Sequence, residues 1–488
     1  MRSFFPTRLA VVLVLPLASL VLAGCAVGPT YSEPAPAAPV AWQAVRPHGG
    51  NAGAMRDWWR QFDDPTVAQL VTLADANSPS LAKAWAGIEK ARATLTTARA
   101  SGLPSLDGNA SLSRARQQSM SGALATETTR SAGLDAAWEV DLFSKVRRNT
   151  EAAEARADAR VADWHDARVS LAAEVADTYV QYRACELLAD AYEREQASTQ
   201  QTERATAASV RAGFSAQSDA ALARASLASA ASTLISQRAQ CDLLVKSLVD
   251  LTGRDEPALR TLLTVGKAAD DRLPEPAGLE VQSVPANALR QRPDLASLER
   301  ELAASSAEIG AAQADLYPSL SLSGSVSISA TPGTSALTTW SLGPSLSIPL
   351  FDGGKRRAAV VTAQASYQMA LASYRQGVRT AVKEVERSLV NLDSTARRVE
   401  EAERADQNYR HYFQATQVNW RAGLESLLTL EEARRSALSA EISLITLRRD
   451  RIEYWIALYK ALGGGWQPGT PAAASGDTPT EASNKTNS

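Results

Sequence analysis

Two periodicities take turns along this chain of 488 residues. Over 319–329 every odd position is Ser, while Leu320, Leu322, Val326 and Ile328 fall on even ones. Over 340–350 the alternation returns, with Leu342, Leu346, Ile348 and Leu350 set against Ser341, Ser345 and Ser347. Earlier in the chain, Leu106 and Leu112 alternate with Ser105, Asp107, Ser111 and Ser113. Leu134, Trp138, Val140 and Leu142 do the same with Asp135, Glu139 and Asp141. A period of two sends each set to its own face of a strand, so four strands are predicted, in hairpins over about 103–143 and 317–350. An apolar face opposite a small polar one suits a wall between lipid and water. Each stretch has the ~9–11 residues that a tilted bilayer crossing takes. A half-buried sheet in a soluble protein carries the same alternation. After each hairpin the period changes: 145–211 and 355–421 each run 67 residues without Pro, roughly 100 Å as helix. Leu371, Tyr374, Val378, Ala381, Val385 and Leu392 step by threes and fours with one step skipped, as in a coiled-coil seam.

The chain also repeats itself. Asn77-Ser78-Pro79-Ser80-Leu81 matches Gln291-Arg292-Pro293-Asp294-Leu295 at an offset of 214, and Leu103-Pro104-Ser105-Leu106 matches Tyr317-Pro318-Ser319-Leu320 at the same offset. Leu142-Phe143 matches Leu350-Phe351 at 208, and Arg147-Arg148 matches Arg356-Arg357 at 209. Arg211-Ala212-Gly213-Phe214 matches Arg421-Ala422-Gly423-Leu424 at 210, as Gly253 does Gly463. Each half therefore reads as a helix, two strands, a very long helix, a sharp turn and a returning helix. The first repeat is placed at 66–253, with its return helix over 214–253. A connector follows at 254–284, then the second repeat at 285–464 with its return helix over 424–463. Four strands cannot close around a channel, and open sheet edges are not tolerated in lipid. Several chains would have to pool their strands, and three would supply twelve.

The N-terminus fixes the compartment. Residues 1–24 carry Arg2 and Arg8 ahead of an apolar stretch over 9–23, a secretory signal too short to span and remain. It ends in Leu22-Ala23-Gly24-Cys25, which resembles a bacterial lipobox and makes Cys25 the expected lipidation site; the alternative is an ordinary secretory signal with an incidental Cys. Ala26 in place of Asp points, in lipoproteins of this kind, to the outer membrane. Several acyl chains at ~0.8 kcal/mol per buried CH₂ would hold the mature N-terminus firmly. Residues 25–65 then read as an extended Pro- and Ala-rich strap. Asp64-Pro65 supplies an N-cap followed by Pro at the first helical position. At the other end, 465–488 is rich in Pro, Ala, Ser, Thr and Asn and is expected to be disordered.

Composition adds mainly exclusions. Lys and Arg number 51 against 53 Asp and Glu, a formal net charge of -2, so no clustered basic excess favours a nucleic-acid partner. Aromatics make up 6%, which suits closely packed long helices. His48, His165 and His411 are isolated, and the three Cys match no zinc spacing. Gly353-Gly354-Lys355-Arg356 lacks the upstream Gly and the Ser/Thr of a phosphate loop and reads as a strand-to-helix turn. No catalytic constellation emerges, no cofactor is expected, and acidic residues on the long helices read as solvated faces. Cys185 and Cys241 lie 28 residues before and after Gly213. In an antiparallel hairpin with its apex there they face each other, on stripes through Leu171, Val175, Thr178 and Tyr182 and through Leu234 and Gln237. In an oxidising periplasm a disulfide is predicted; a pair of buried free thiols is the alternative.

Cys25-Ala26-Val27-Gly28-Pro29-Thr30-Tyr31 with Pro34, the Trp58-Trp59, Phe62 and Asp64-Pro65 block, and Arg292-Pro293-Asp294 together resemble the TolC-like outer-membrane efflux factors, in their OprM/NodT-type lipoprotein branch. The resemblance runs from Cys25 to about Trp466. It implies a mainly α-helical trimer with a small transmembrane β portion: a twelve-stranded β-barrel, four strands per protomer, continued by a periplasmic α-barrel of paired long hairpins. It also implies a passive exit duct for drugs or small toxic compounds, with a periplasmic adaptor and an inner-membrane RND transporter as partners. In that family the periplasmic end closes around the turn that here is Trp420-Arg421-Ala422-Gly423-Leu424. Aligned on that Gly, Leu428 and Glu432 fall where an apolar ring and an acidic ring close the duct, with Glu standing where the family often has Asp. An exposed Glu beside a core Leu is the plainer alternative. The resemblance further implies that both turns, with Arg211, Gly213, Phe214, Arg421, Gly423 and Leu424, form the crown that the adaptor grips. A type I secretion duct, a periplasmic coiled-coil lipoprotein without a pore, and a lipid-anchored cell-wall enzyme are the competing readings, and the last lacks any acid/base set.

Overall fold

The computed structural model describes residues 26–36, 38–45, 55–118, 124–269, 272–276, 288–332, 335–467 and 469. The signal segment, Cys25, most of the tail and part of the connector lie outside the described residues. In chain order come α1 (Pro65–Asn77), α2 (Pro79–Ala100), β1 (Ser105–Gln118), β2 (Leu124–Val140), α3 (Lys145–Arg211) and α4 (Gln217–Thr252). A connecting helix α5 (Glu256–Ala269) precedes α6 (Pro293–Ala314), β3 (Ser319–Ala330), β4 (Leu337–Ser347), α7 (Lys355–Arg421) and α8 (Leu427–Ala461). The duplication shows in the lengths: 67 residues for both α3 and α7, 36 and 35 for α4 and α8, 22 for both α2 and α6. The chain divides into two compact units.

One unit comprises Met1–Ala35, Ala86–Arg160 and Ser297–Arg375. Its sheet runs β1-β2-β3-β4, every neighbouring pair antiparallel. The register gathers like with like. Leu134 pairs with Val326, which pairs with Trp340, while Ser325 pairs with Ser341 and Ser111 with Ser131. The facing hydroxyls of the last two pairs are hydrogen-bonded at 2.8 Å. On the other face Leu106, Leu112, Leu134, Leu322, Val326, Trp340, Leu342 and Leu346 are all exposed. A half-buried soluble sheet would cover that face; here nothing among the described residues does. Two boundaries differ from the sequence reading. β2 reaches 17 residues because Thr126, Thr128 and Arg130 continue the ladder without an apolar alternation to announce them. β4 stops at Ser347, two residues before Pro349 and short of Leu350.

Each hairpin hands over to its long helix through an acidic cap. Asp141 accepts from the backbone N–H groups of Val146 and Arg147 at 3.1 and 2.9 Å, and Asp352 from those of Gly354 and Arg356 at 3.0 and 3.1 Å. The left-handed backbone is supplied by Gly353 and Gly354, φ 65° and 91°, in the second half and by Ser144, φ 66°, in the first. Within the same unit the strap is held by Arg148, whose Nε and Nη2 donate to the carbonyls of Val27 and Gly28 at 3.2 and 3.3 Å. Gly28, φ 100°, packs so close to Gly310 that a Cβ on it would lie 2.3 Å from the Gly310 Cα.

The other unit, Pro36–Trp85, Val161–Ala296 and Gln376–Ser488, holds the main apolar core. Leu70, Val71, Val175, Tyr179, Val245, Leu248, Leu259, Val385, Leu389, Ile456 and Leu458 are buried in it. Asp64 caps α1 by accepting from the Thr66 N–H and also accepts from the buried Arg183 at 3.0 Å. Trp58 stacks on Tyr459, ring centroids 4.8 Å apart. Each return helix docks by a side-chain bond to a carbonyl near its end: Asn77 donates to the Thr252 carbonyl at 3.0 Å, and Arg292 to the Ala461 carbonyl at 2.8 Å. Among the described residues no helix is long and apolar enough to cross a membrane.

Candidate functional site

The two turns close in the same way. α3 ends at Arg211; Gly213 takes φ 82° and donates to the Val210 carbonyl, and Phe214 donates to that of Ser209 at 2.9 Å. α7 ends at Arg421; Gly423 takes φ 76° and donates to the Trp420 carbonyl, and Leu424 donates to that of Asn419 at 2.9 Å. This is the glycine-terminated cap that satisfies the last helical carbonyls. The loop consumes three residues before each return helix, so α4 and α8 begin at Gln217 and Leu427 rather than at the turn itself. In the second turn Ser426 caps α8, accepting from the Thr429 N–H at 3.1 Å. Arg211 and Arg421 are exposed, and Phe214 and Leu424 project their apolar side chains into solvent, 87% and 76% accessible. Two cations and two large apolar groups are thus presented on adjoining turns.

Leu428 and Glu432 lie one turn apart on α8 and are both exposed. The opposite face of that helix is buried through Leu427, Leu430, Glu431, Ala433 and Arg434. Leu427 and Leu430 pack with Ala223 of α4 and with Phe413 and Trp420 of α7, which fixes the rotation of α8 and so the direction in which Leu428 and Glu432 face. Further from the turns, Cys185 and Cys241 are joined as a disulfide between α3 and α4, Cα atoms 5.5 Å apart and both residues buried.

Sequence patterning missed the ion pair beside the turn. Arg434 is 4% exposed. Its Nη1 donates to Glu431, its Nη2 donates to Thr202 Oγ1 of α3 at 2.6 Å, and its guanidinium sits over the Phe413 ring, 5.6 Å from the centroid. The run Glu431-Glu432-Ala433-Arg434-Arg435 gives no hint of which acid and which base turn inward; the signal was the apolar frame set by Leu427 and Leu430. A related correction concerns acids on the long helices. They are not all solvated: Asp406 of α7 is buried and accepts from Arg410 at 2.7 Å. Burial also pushes the Asp166 carboxyl of α3 up to about 6, helped by Asp294, and the Glu453 carboxyl of α8 up to about 7, helped by Asp177. Among the described residues no group of His, Cys, Asp or Glu is arranged to hold a metal ion.

A family model described as outer membrane efflux protein matches residues 70–254 and 284–464, one match to each half of the duplication. The chain is 30% identical over 470 residues to the solvent efflux pump outer membrane protein SrpC of Pseudomonas putida, covering 92% of this chain and 97% of the relative. It is 31% identical over 479 residues to the outer membrane protein OprJ of Pseudomonas aeruginosa, covering 93% and 95%. Among solved structures, the outer-membrane channel OprN superposes with a TM-score of 0.80 at 31% identity, over 91% of this chain and 100% of that one.

Proposed function

Because this chain belongs to the outer membrane efflux protein family, we propose that three copies of it form the outer-membrane exit duct of a tripartite efflux pump, joined through a periplasmic adaptor to an inner-membrane RND transporter. The observation that carries this reading is the four-stranded sheet, whose apolar face is exposed along its length and whose edges are β1 and β4. In lipid every backbone group must find a partner, so β4 of one copy pairs with β1 of the next, and three copies close a barrel of twelve strands. The Ser, Thr and Asp face then lines water. α3 and α7, each roughly 100 Å long, continue the duct into the periplasm. Acyl chains on Cys25 anchor the strap in the outer membrane.

The duct is passive, and the transporter supplies the drive. Its cargo is small organic toxicants, drugs among them; SrpC is named for solvent efflux. The exposed Phe214, Leu424, Arg211 and Arg421, on glycine turns at Gly213 and Gly423, receive the adaptor's hairpins. Three Leu428 side chains and three Glu432 carboxylates ring the periplasmic mouth, and the like charges repel unless cations screen them. Purified protein is expected to run as a heat-modifiable trimer and to conduct in planar bilayers; a monomer that is electrically silent sinks the proposal. Leu428→Ala with Glu432→Ala is expected to raise single-channel conductance, and unchanged conductance removes the gate from these two residues.

A further inference from the structure

The charged residues of the sheet separate by sign. Asp107, Glu127, Asp135 and Glu139 fall on odd positions of β1 and β2, and Arg114, Arg116 and Arg130 on even ones, while β3 and β4 carry no charge. The odd face is the one whose side chains meet polar partners, Ser111 with Ser131 and Asn109 with Asp135. The even face is the exposed apolar one of Leu106, Leu112, Leu134 and Val326. Three exposed cations therefore stand on the side that the duct turns to lipid, with no acid beside them among the described strand residues.

The register fixes their height on that face. Arg130 pairs with Leu112 on one side and with Ala330, the last residue of β3, on the other. From Leu320 to Ala330, at ~3.3 Å per residue and a tilt of about 40°, β3 climbs roughly 25 Å, the full height of an outward apolar band. Arg130 sits at the outer edge of that band. Arg114 and Arg116 pair with Thr128 and Thr126, two and four residues further out, and so stand roughly 5 and 10 Å beyond it. There the β1–β2 ladder continues alone, past the end of β3. Positions two apart on a strand, or diagonal across a pair, are about 7 Å apart. Guanidiniums at that spacing repel one another, and an anion with more than one charge between them removes the repulsion. The other rim of the band, where α3 and α7 leave the sheet, is built differently. Trp138 donates to the Gly102 carbonyl at 3.0 Å and Phe143 stacks on Tyr317, an aromatic girdle. Among the described strand residues the apolar face carries no cation at that rim and no aromatic at the far one.

We propose that Arg114, Arg116 and Arg130 of each protomer bind the phosphate groups of the glycolipid that makes up the outer leaflet, one headgroup to each protomer. The site rests on the reading of the sheet as one third of a lipid-facing barrel. Guanidinium forks match phosphate oxygens two at a time. Thr126 and Thr128, level with two of the arginines on the same face, offer hydroxyls to the sugar. The arginines take the place of the divalent cations that otherwise bridge neighbouring glycolipids, and so seal the leaflet to the barrel wall. A phospholipid, with one phosphate, cannot span all three.

The test uses the full-length protein, stripped of lipid in detergent, with short-core lipopolysaccharide as the probe. Native mass spectrometry counts the bound headgroups, and a titration gives the affinity. Arg114→Gln, Arg116→Gln and Arg130→Gln together are expected to weaken binding about tenfold or more. Arg114→Lys, Arg116→Lys and Arg130→Lys together keep the charge and are expected to stay within about threefold of the wild type. Removing the phosphates of the lipopolysaccharide should reproduce the tenfold loss in the wild type, and phosphatidylglycerol should bind as weakly. Undiminished binding by the Gln variant, by the dephosphorylated lipid or by phosphatidylglycerol overturns the proposal. Should the triple Gln variant not assemble, Arg116→Gln alone, the outermost of the three, is expected to cost about threefold, and no loss overturns the site equally. A wild-type chain that is monomeric and electrically silent defeats the duct itself; a conducting trimer that holds no lipopolysaccharide defeats this site alone.

Discussion

In the first hairpin Cys185 of α3 is bonded to Cys241 of α4. The positions 210 residues later, in the second hairpin, are Thr395 and Arg451. Thr395 is buried and spends its hydroxyl on the Asn391 carbonyl of its own helix, and Arg451 is exposed. At that level α7 and α8 are held by Val399, Leu444 and Leu447. Nearer the turn the second hairpin is tied to α3 by Arg434, a polar contact with a single hydroxyl. One hairpin is thus fixed by a covalent bond and the other by a cluster and a buried ion pair. The same duplicated plan yields one hairpin with a covalent tie and one without, and Leu428 and Glu432 lie on the second.

Removing Arg434 should test that contrast most severely. Arg434→Ala leaves Glu431 buried beside an emptied site, and breaking a buried pair from one side costs about 3–5 kcal/mol. The expected result is a lowered denaturation midpoint, with amide exchange quickened around 413–434 and little changed along α4. Equal loosening of both hairpins would erase the distinction drawn here. Next in size is Cys185→Ser with Cys241→Ser. The bridged residues are 56 apart in sequence, and closing a loop of that length in the unfolded chain is worth about 4 kcal/mol at most, commonly 2–4. Exchange should then quicken in α3 and α4 between residue 185 and the turn. If the second hairpin responds more than the first, the disulfide is not what distinguishes the first hairpin.

Much of this was readable in the residues, for stated reasons. Strict Ser and Leu alternation fixed β3, and Pro-free runs ending at Arg211-Ala212-Gly213 and Arg421-Ala422-Gly423 fixed both long helices at their exact lengths. Equidistance from Gly213 was enough to pair the cysteines because helices of equal rise advance together. The far end of β2 was hidden because Thr126, Thr128 and Arg130 carry no hydrophobic contrast. The Glu431–Arg434 pair was hidden for a different cause: a charged residue at a buried position looks, in sequence, like its solvated neighbour one step round the helix. Asp64 was legible as a cap, but its second bond, to Arg183, spans 119 positions and leaves no local trace.

The smallest effect concerns the root of the second hairpin. Glu453 of α8 faces Asp177 of α3, and the repeat-related positions are Leu243 and Arg387, so this meeting of two acids belongs to the second hairpin's docking alone. Burial first, and Asp177 second, push the Glu453 carboxyl up to about 7, against the pull of Arg449 at 3.3 Å. Asp177 is itself raised by burial and accepts from Gln181 at 2.8 Å. A carboxyl whose folded value lies above its unfolded one favours the fold while protonated. That contribution is complete below about 4.5, the unfolded value, and is lost as pH rises through about 7. Glu453→Gln keeps the shape and removes the titration, so its denaturation midpoint should match the wild type near pH 4 and exceed it at pH 8. Allowing for solvent around a group this accessible, the gain is on the order of 1 kcal/mol. The gap should open between about pH 4.5 and about pH 7 and level off above that, and exchange should slow in α8 more than in α4. A gain that is the same at pH 4 and pH 8 would mean that packing, not charge, sets the root of the hairpin.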